Sequence, residues 1–189
     1  MARDAQATRA RILAAATVEF STHGLAGARV ERIAAAAQAN KRLIYVHFTN
    51  KEALFVATLE QVLQDIKRTV PLTVDDLPSY AGRLFDYLIE HPHARRLSLW
   101  RQLERPDAGP DESGFYADTI GRMLAARSAN DGGLPPADLV ILVAGLTQSW
   151  FLGPDDLTGA GGADPHDPER IAAHRASLVE ATRRIAAPS

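Results

Sequence analysis

Apolar side chains recur along this chain at three- and four-residue intervals, the spacing of a helix face, and not at the two-residue alternation of a strand. Leu13, Ala16 and Phe20 form one stripe. Phe55, Leu59, Val62 and Ile66 form a second, Ala81, Leu84 and Leu88 a third, and Tyr116, Ile120 and Met123 a fourth. Ala137–Leu152 is apolar nearly all round, with Val140, Val143, Leu146, Trp150 and Phe151 spread about its circumference. That pattern predicts a helix covered on more than one side. Ile171, Leu178 and Ile185 follow at heptad spacing.

Breakers divide the pattern. His23-Gly24 closes the first helix, and Pro71 closes the segment that opens near Lys51. Pro92 parts Pro78–His91 from His93–Arg105, and Pro106–Pro110 ends the latter. Asp131-Gly132-Gly133 follows the next helix, and Pro135-Pro136 opens another that runs to Gly153-Pro154. Gly153–Asp167 reads as a loop, and a final helix spans Pro168 to Ala187. The expected fold is all-α, with about nine helices and no strand.

Composition agrees. Of 189 residues, 46% are apolar and 23% charged, which fits a folded globular chain. Ala is the commonest residue and Arg far outnumbers Lys, both being strong helix formers. The absence of cysteine excludes disulfides, thiolate metal sites and cysteine nucleophiles. The longest uncharged stretch, Leu139–Pro154, is shorter than the roughly 18 apolar residues of a membrane span. Met1–Gln6 lacks the apolar core of a signal peptide, so a cytoplasmic location is expected.

Charge sharpens the picture. The net charge of −2 is unevenly placed. Residues 1–51 hold eight Arg or Lys against three acids, and the remainder is acidic overall. A basic head on an acidic body points to a polyanion partner for the head. Within the head, Val30–Ala37 reads as a short helix with Val30, Ile33 and Ala34 inward. Gln38-Ala39 makes a tight connection, and Asn40 caps a second short helix, Lys41–Phe48. Two short helices joined by such a turn form a helix-turn-helix, whose second helix enters the major groove. Leu43, Ile44 and Phe48 pack inward, while Asn40, Lys41, Arg42, Tyr45 and His47 are free for phosphates and base edges. Thr49-Asn50-Lys51-Glu52 has capping-box spacing, which predicts that the next helix starts there. Its first amides and Lys51 make an anion site beside the reading helix. Arg3 and Arg9 lie at a terminus expected to fray, with a minor-groove arm as the sharper alternative.

These residues resemble the TetR (tetracycline repressor) family of bacterial transcription regulators. The resemblance is carried by Gly24, Val30, Ile33-Ala34, Ala37, Lys41, Ile44-Tyr45, His47-Phe48, Asn50-Lys51-Glu52 and Leu54, and covers about residues 9–66. Tyr-x-His-Phe and Lys-Glu-x-Leu at fixed separation make it specific. It implies a DNA-binding domain over residues 6–66, with the helix-turn-helix at 30–49, and a regulatory and dimerisation domain over 67–189. Three positions depart from the family pattern. Gln38 stands at the turn glycine, and would cost about 1–2 kcal/mol if that site is left-handed. Arg29 replaces the threonine that opens the second helix, which adds charge and loses a cap. Val46 replaces the second tyrosine of a pair and removes a polar contact.

The reading is a sequence-specific DNA-binding transcriptional regulator, a homodimeric repressor on a near-palindromic operator. Arg29, Asn40, Lys41, Arg42, Tyr45, His47 and Lys51 are its expected DNA contacts. A small apolar effector is expected among Phe85, Leu88, Arg96, Trp100, Leu103, Phe115, Met123 and Gln148, an apolar lining with few polar groups. Over Ala94–Arg105, Leu97, Leu99, Trp100 and Leu103 fill one arc and Arg96 falls inside it, placed to orient a ligand. Plain core packing competes for each of these. No catalytic residue, cofactor or metal is expected: His91-Pro92-His93 has no further ligand pair at helical spacing. Control by a protein partner, or by no ligand at all, is the alternative. An α-helical enzyme comes third, for the chain has no Gly-rich phosphate loop, nucleophile elbow or His-Glu-x-x-His motif.

Overall fold

The structure, a computed structural model, describes residues 2–104, 117–118, 120–125 and 133–187. Its helices are α1 (Ala2–Gly27), α2 (Val30–Ala36), α3 (Lys41–His47), α4 (Lys51–Thr69), α5 (Leu77–Glu90), α6 (Pro92–Glu104), α7 (Pro136–Leu152), α8 (Asp155–Thr158) and α9 (Pro168–Ala186). A 3-10 turn, Val74–Asp76, precedes α5, and residues 120–125 are helical. No strand occurs among the described residues, and no helix there is long and apolar enough to cross a membrane. The chain divides into two compact units.

The first unit comprises α1–α4 together with α6, which returns to lie along α1. Its core is built from the predicted stripes. Ile12, Leu13, Ala16 and Phe20 of α1 are buried, as are Ile33, Ile44, Phe48, Leu54 and Phe55. Phe20 and Phe55 meet edge to face, with ring centroids 5.0 Å apart. Ile44 is 1% exposed, and truncating such a residue to alanine costs about 2–5 kcal/mol. α1 does not stop at His23-Gly24. It bends at Gly24, whose φ of 68° is left-handed, and runs one more turn to Gly27. At the terminus α1 is helical from Ala2, and the Arg9 guanidinium lies 5.2 Å from the Phe48 ring centre.

The second unit comprises Thr69–Ile89 with α5, then α7, α8 and α9. α7 and α9 pack together. Gly82 lets α5 approach α9: a Cβ there would lie 2.9 Å from Arg175 and 3.1 Å from Val179. Arg175 pairs with Asp86 at 2.7 Å across the same contact. Leu139, Val143, Thr147 and Trp150 form the buried stripe of α7. Its other side leaves Ile141, Leu142 and Leu152 in solvent. The sequence reading of Gly153–Asp167 as an unbroken loop is corrected by α8, a single turn inside it.

Candidate nucleic-acid interface

The helix-turn-helix is fixed first at the corner between α1 and α2. Here α6 supplies a clamp. The Glu104 carboxylate accepts from the amides of Leu25 and Ala26, and the Trp100 indole donates to the Ser21 carbonyl at 3.1 Å. His93 and the Ser21 hydroxyl are 2.8 Å apart. A Cβ at Gly24 would lie 2.7 Å from the Trp100 ring and 2.8 Å from Glu104, so this bend needs glycine for space as well as for its φ.

α2 has no side-chain cap of its own, as its Arg29 suggested. The cap comes from α1. Glu19, 9% exposed, accepts from the Arg29 amide at 2.8 Å and from Nε and Nη2 of the Arg32 guanidinium. Burial pushes the Glu19 carboxyl up. The Arg32 and Arg29 hydrogen bonds, with the charges of Arg32 and His23, outweigh it and hold the group below the usual carboxylate range. Arg32 also donates to the Gly27 carbonyl. Sequence reasoning missed Glu19 and Arg32. Their separation of 13 residues is no helix spacing, and only the crossing of α1 and α2 brings them together.

The turn follows. Gln38 has a φ of 51°, the left-handed backbone that its position implied. Asn40 then caps α3, its Oδ1 accepting from the Leu43 amide at 2.7 Å. Ile44 and Phe48 are buried, Leu43 and His47 half-buried, and Asn40, Lys41, Arg42, Tyr45 and Val46 exposed. α3 therefore turns Arg42, Tyr45 and Val46 outward along one face. Lys41 reaches back to Glu31 of α2 at 2.5 Å. This hydrogen-bonded pair raises the lysine pKa and lowers that of the glutamate, each through the other. Being exposed, the pair is open to exchange with another anion.

At the start of α4 the cap is Asn50, not the predicted Thr49: its Oδ1 accepts from the Ala53 amide at 2.7 Å. The Thr-x-x-Glu pattern marked the right place, but a one-residue shift puts the better capping side chain at the helix entry. Lys51 is half-buried, and its ammonium lies 3.4 Å from both the Ala26 and Ala28 carbonyls. The lysine is thus held over the α1–α2 corner. Arg29 is exposed beside it in sequence, at the entry to α2.

Of the eight residues expected to line an effector site, the seven described fall in both units. Phe85 and Leu88 of α5, Met123 of the helical residues 120–125 and Gln148 of α7 belong to the second. Phe85, Leu88 and Met123 are buried, and Gln148 is half-buried, donating to the Ala144 carbonyl. Arg96, Trp100 and Leu103 of α6 belong to the first unit. Trp100 serves the clamp on Gly24 and Ser21. Arg96 is exposed, and Leu103 is 74% exposed. α6 buries Ala94 and Leu97, and at about 100° per residue Leu103 lies some 120° round from Leu97. Phe115 lies outside the described residues.

An aromatic group not foreseen surrounds Phe85. Phe151 stacks on it at 5.6 Å, and His174 lies 5.6 Å from Phe85 and 4.7 Å from Trp150. Burial, then the charge of Arg170, pushes the His174 pKa down and favours the neutral ring. Its Nε2 is buried without a hydrogen-bond partner. Among the described residues no group of His, Asp or Glu is placed to hold a metal ion.

Comparison with known proteins bears on all of this. Residues 12–58 match the family model described as bacterial regulatory proteins, tetR family. Residues 76–184 match the model of the tetracyclin repressor-like C-terminal domain. The HTH-type transcriptional repressor SCO4008 of Streptomyces coelicolor is 37% identical over 193 residues, covering 97% of each chain. The HTH-type nicotine-responsive transcriptional repressor HdnoR of Paenarthrobacter nicotinovorans is 25% identical over 166 residues, covering 78% of this chain and 86% of its own. The crystal structure of SCO4942 from Streptomyces coelicolor superposes with a TM-score of 0.79 at 33% identity, over 94% of this chain and 97% of that one. A capped, outward-facing second helix in a basic head, with both parts of the chain matched to one family, leads to a single assignment: the chain belongs to the TetR family and is a DNA-binding transcriptional regulator.

Proposed function

We propose that this regulator is a repressor that binds a near-palindromic operator as a homodimer and is released by a small, mostly apolar effector. The observation that carries the reading is the outward face of α3, where Arg42 and Tyr45 stand exposed on a helix whose opposite side is locked by Ile44. Arg42 and Tyr45 address base edges. Asn40, Lys41, His47, Arg29 and Lys51 hold the phosphates on either side, with Lys41 exchanging Glu31 for a phosphate. The repressor sense is supported by the names of the relatives.

The exposed apolar side of α7, with Ile141, Leu142 and Leu152, supports pairing with a second copy in a helical bundle. Two-fold pairing asks for two-fold symmetry in the operator. For the effector, the support is the aromatic group of the second unit and the nicotine-responsive relative. The lining we propose keeps Phe85, Leu88, Met123, Gln148 and Phe115. It gives up Arg96, Trp100 and Leu103, which the first unit either uses or leaves in solvent.

The test is retention of promoter fragments, beginning with the gene's own, in gel shifts at several salt concentrations. The expected result is a bound fragment whose log K falls with log salt at about −0.9 per phosphate contacted. Sedimentation should show a dimer. A salt-independent interaction, or a monomer that holds operator undiminished, would count against the proposal.

A further inference from the structure

The outward face of α3 carries one residue that neither charge nor hydrogen bonding explains. Val46 is 73% exposed, whereas Ile44, two positions earlier on the same short helix, is 1% exposed. Arg42, Tyr45 and Val46 lie at i, i+3 and i+4 and so share one side of α3. A valine there offers no donor, no acceptor and no charge. It does offer two methyl groups in a defined place, because a β-branched side chain on a helix is nearly confined to one rotamer. The major-groove edges of the base pairs present donors and acceptors at every step, but only one apolar group: the C5-methyl of thymine.

We propose that Val46 is a specificity-determining residue of the reading helix, selecting thymine at one position in each operator half-site by covering its C5-methyl. The inference rests on the operator reading above and adds to it the identity of one base. Cytosine at that position would put an amino group, which needs a hydrogen-bond partner, against a surface that has none to give. A purine would present ring nitrogen and exocyclic polar groups to the same methyls. Arg42, on the same side, supplies a cation that thymine's apolar group does not use. The two residues therefore address different bases or a base and a phosphate. A valine lying instead against backbone sugar would be indifferent to the base, and this difference can be measured.

Operators are selected from a random duplex library with the wild-type protein. Each thymine of the selected site is then replaced singly by deoxyuridine, which removes the methyl and nothing else. Wild-type protein is expected to lose about fourfold in affinity at one thymine per half-site, the effect of leaving one methyl group uncovered. Val46→Ala is expected to bind the thymine and uracil duplexes equally at that position, while any penalties at other thymines persist. The wild-type scan stands without the variant, and circular dichroism melting checks that Val46→Ala is folded. If no uracil replacement costs wild type more than about twofold, or if Val46→Ala keeps the same penalty at every thymine, the proposal is overturned while operator binding survives. A library in which no sequence is enriched overturns the operator reading itself.

Discussion

α2 and α3 are each seven residues long, and neither would persist alone, since isolated helices below about 12–15 residues are marginal in water. They are held in different ways. α2 buries Val30, Ile33 and Ala34, takes its cap from Glu19 on α1, and follows a corner whose carbonyls are covered by Arg32 and Lys51. α3 buries Ile44, is started by its own Asn40, and leaves Arg42, Tyr45 and Val46 in water. One helix has its polar groups satisfied by neighbours and so fixes the head. The other pairs Lys41 with Glu31 and leaves Arg42 and Tyr45 exposed. Stability and recognition should therefore separate by helix, and substitutions can break or sharpen that separation.

The largest effect is expected on α3. Arg42→Ala should weaken operator binding by about 1–3 kcal/mol, the range for one good base contact, with an unchanged melting temperature. Fluorescence anisotropy beside a thermal melt checks both halves. A variant that melts early and binds normally would erase the contrast.

At the α1–α2 corner the expectation reverses. Glu19→Gln removes the charge that holds the Arg29 amide and should cost about 2 kcal/mol in urea unfolding, because hydrogen bonds to a charged group contribute about 1.5–3 kcal/mol. The pH profile adds a signature. The folded pKa of Glu19 lies below its unfolded value, so its contribution is complete above the unfolded value and is lost as pH falls through the folded one. Wild type should lose that share of stability in acid, and Glu19→Gln should not. Identical acid profiles would show that Glu19 does not govern this corner.

Gln38→Gly tests the turn between the two helices. Gln38 occupies a left-handed backbone that glycine adopts without strain, so the variant should be more stable by about 1 kcal/mol. A loss of stability would mean that the glutamine side chain makes up for its backbone. The smallest effect belongs to Lys51→Ala. If Lys51 leaves its carbonyls for a phosphate on binding, the variant should lower the salt slope by about 1 for every operator sequence alike. An unchanged slope would leave Lys51 to the corner and not to the DNA.

Much of the head was legible in the chain because its signals are local. Asn40 caps a helix three residues away, Pro71 and Pro92 fall where helices must end or begin, and Gly24 stands where the backbone turns left-handed. The left-handed turn at Gln38 was legible as a conflict between residue type and position. The packing of α6 was less legible. Leu97, Trp100 and Leu103 look alike as an apolar arc, and yet one is buried, one holds Gly24 and one faces water. An arc shows which residues could be covered; the neighbour that covers them is decided elsewhere.

By itself, then, the sequence determined the long helices, the Asn40 cap, the proline breaks, the amphipathic α3 and the family to which the pattern belongs. These depend on interactions within about four residues, which spacing encodes directly. The tertiary structure alone decided that Glu19 caps α2, that Lys51 covers the carbonyls of Ala26 and Ala28, that Trp100 and Glu104 grip the bend at Gly24, and that His174 is enclosed by Phe85 and Trp150. Each of these joins residues between 10 and 89 positions apart or sets one helix against another. Whether a charged or aromatic side chain meets water, a carbonyl or a ring is then a matter of how the helices pack, and no local spacing carries that information.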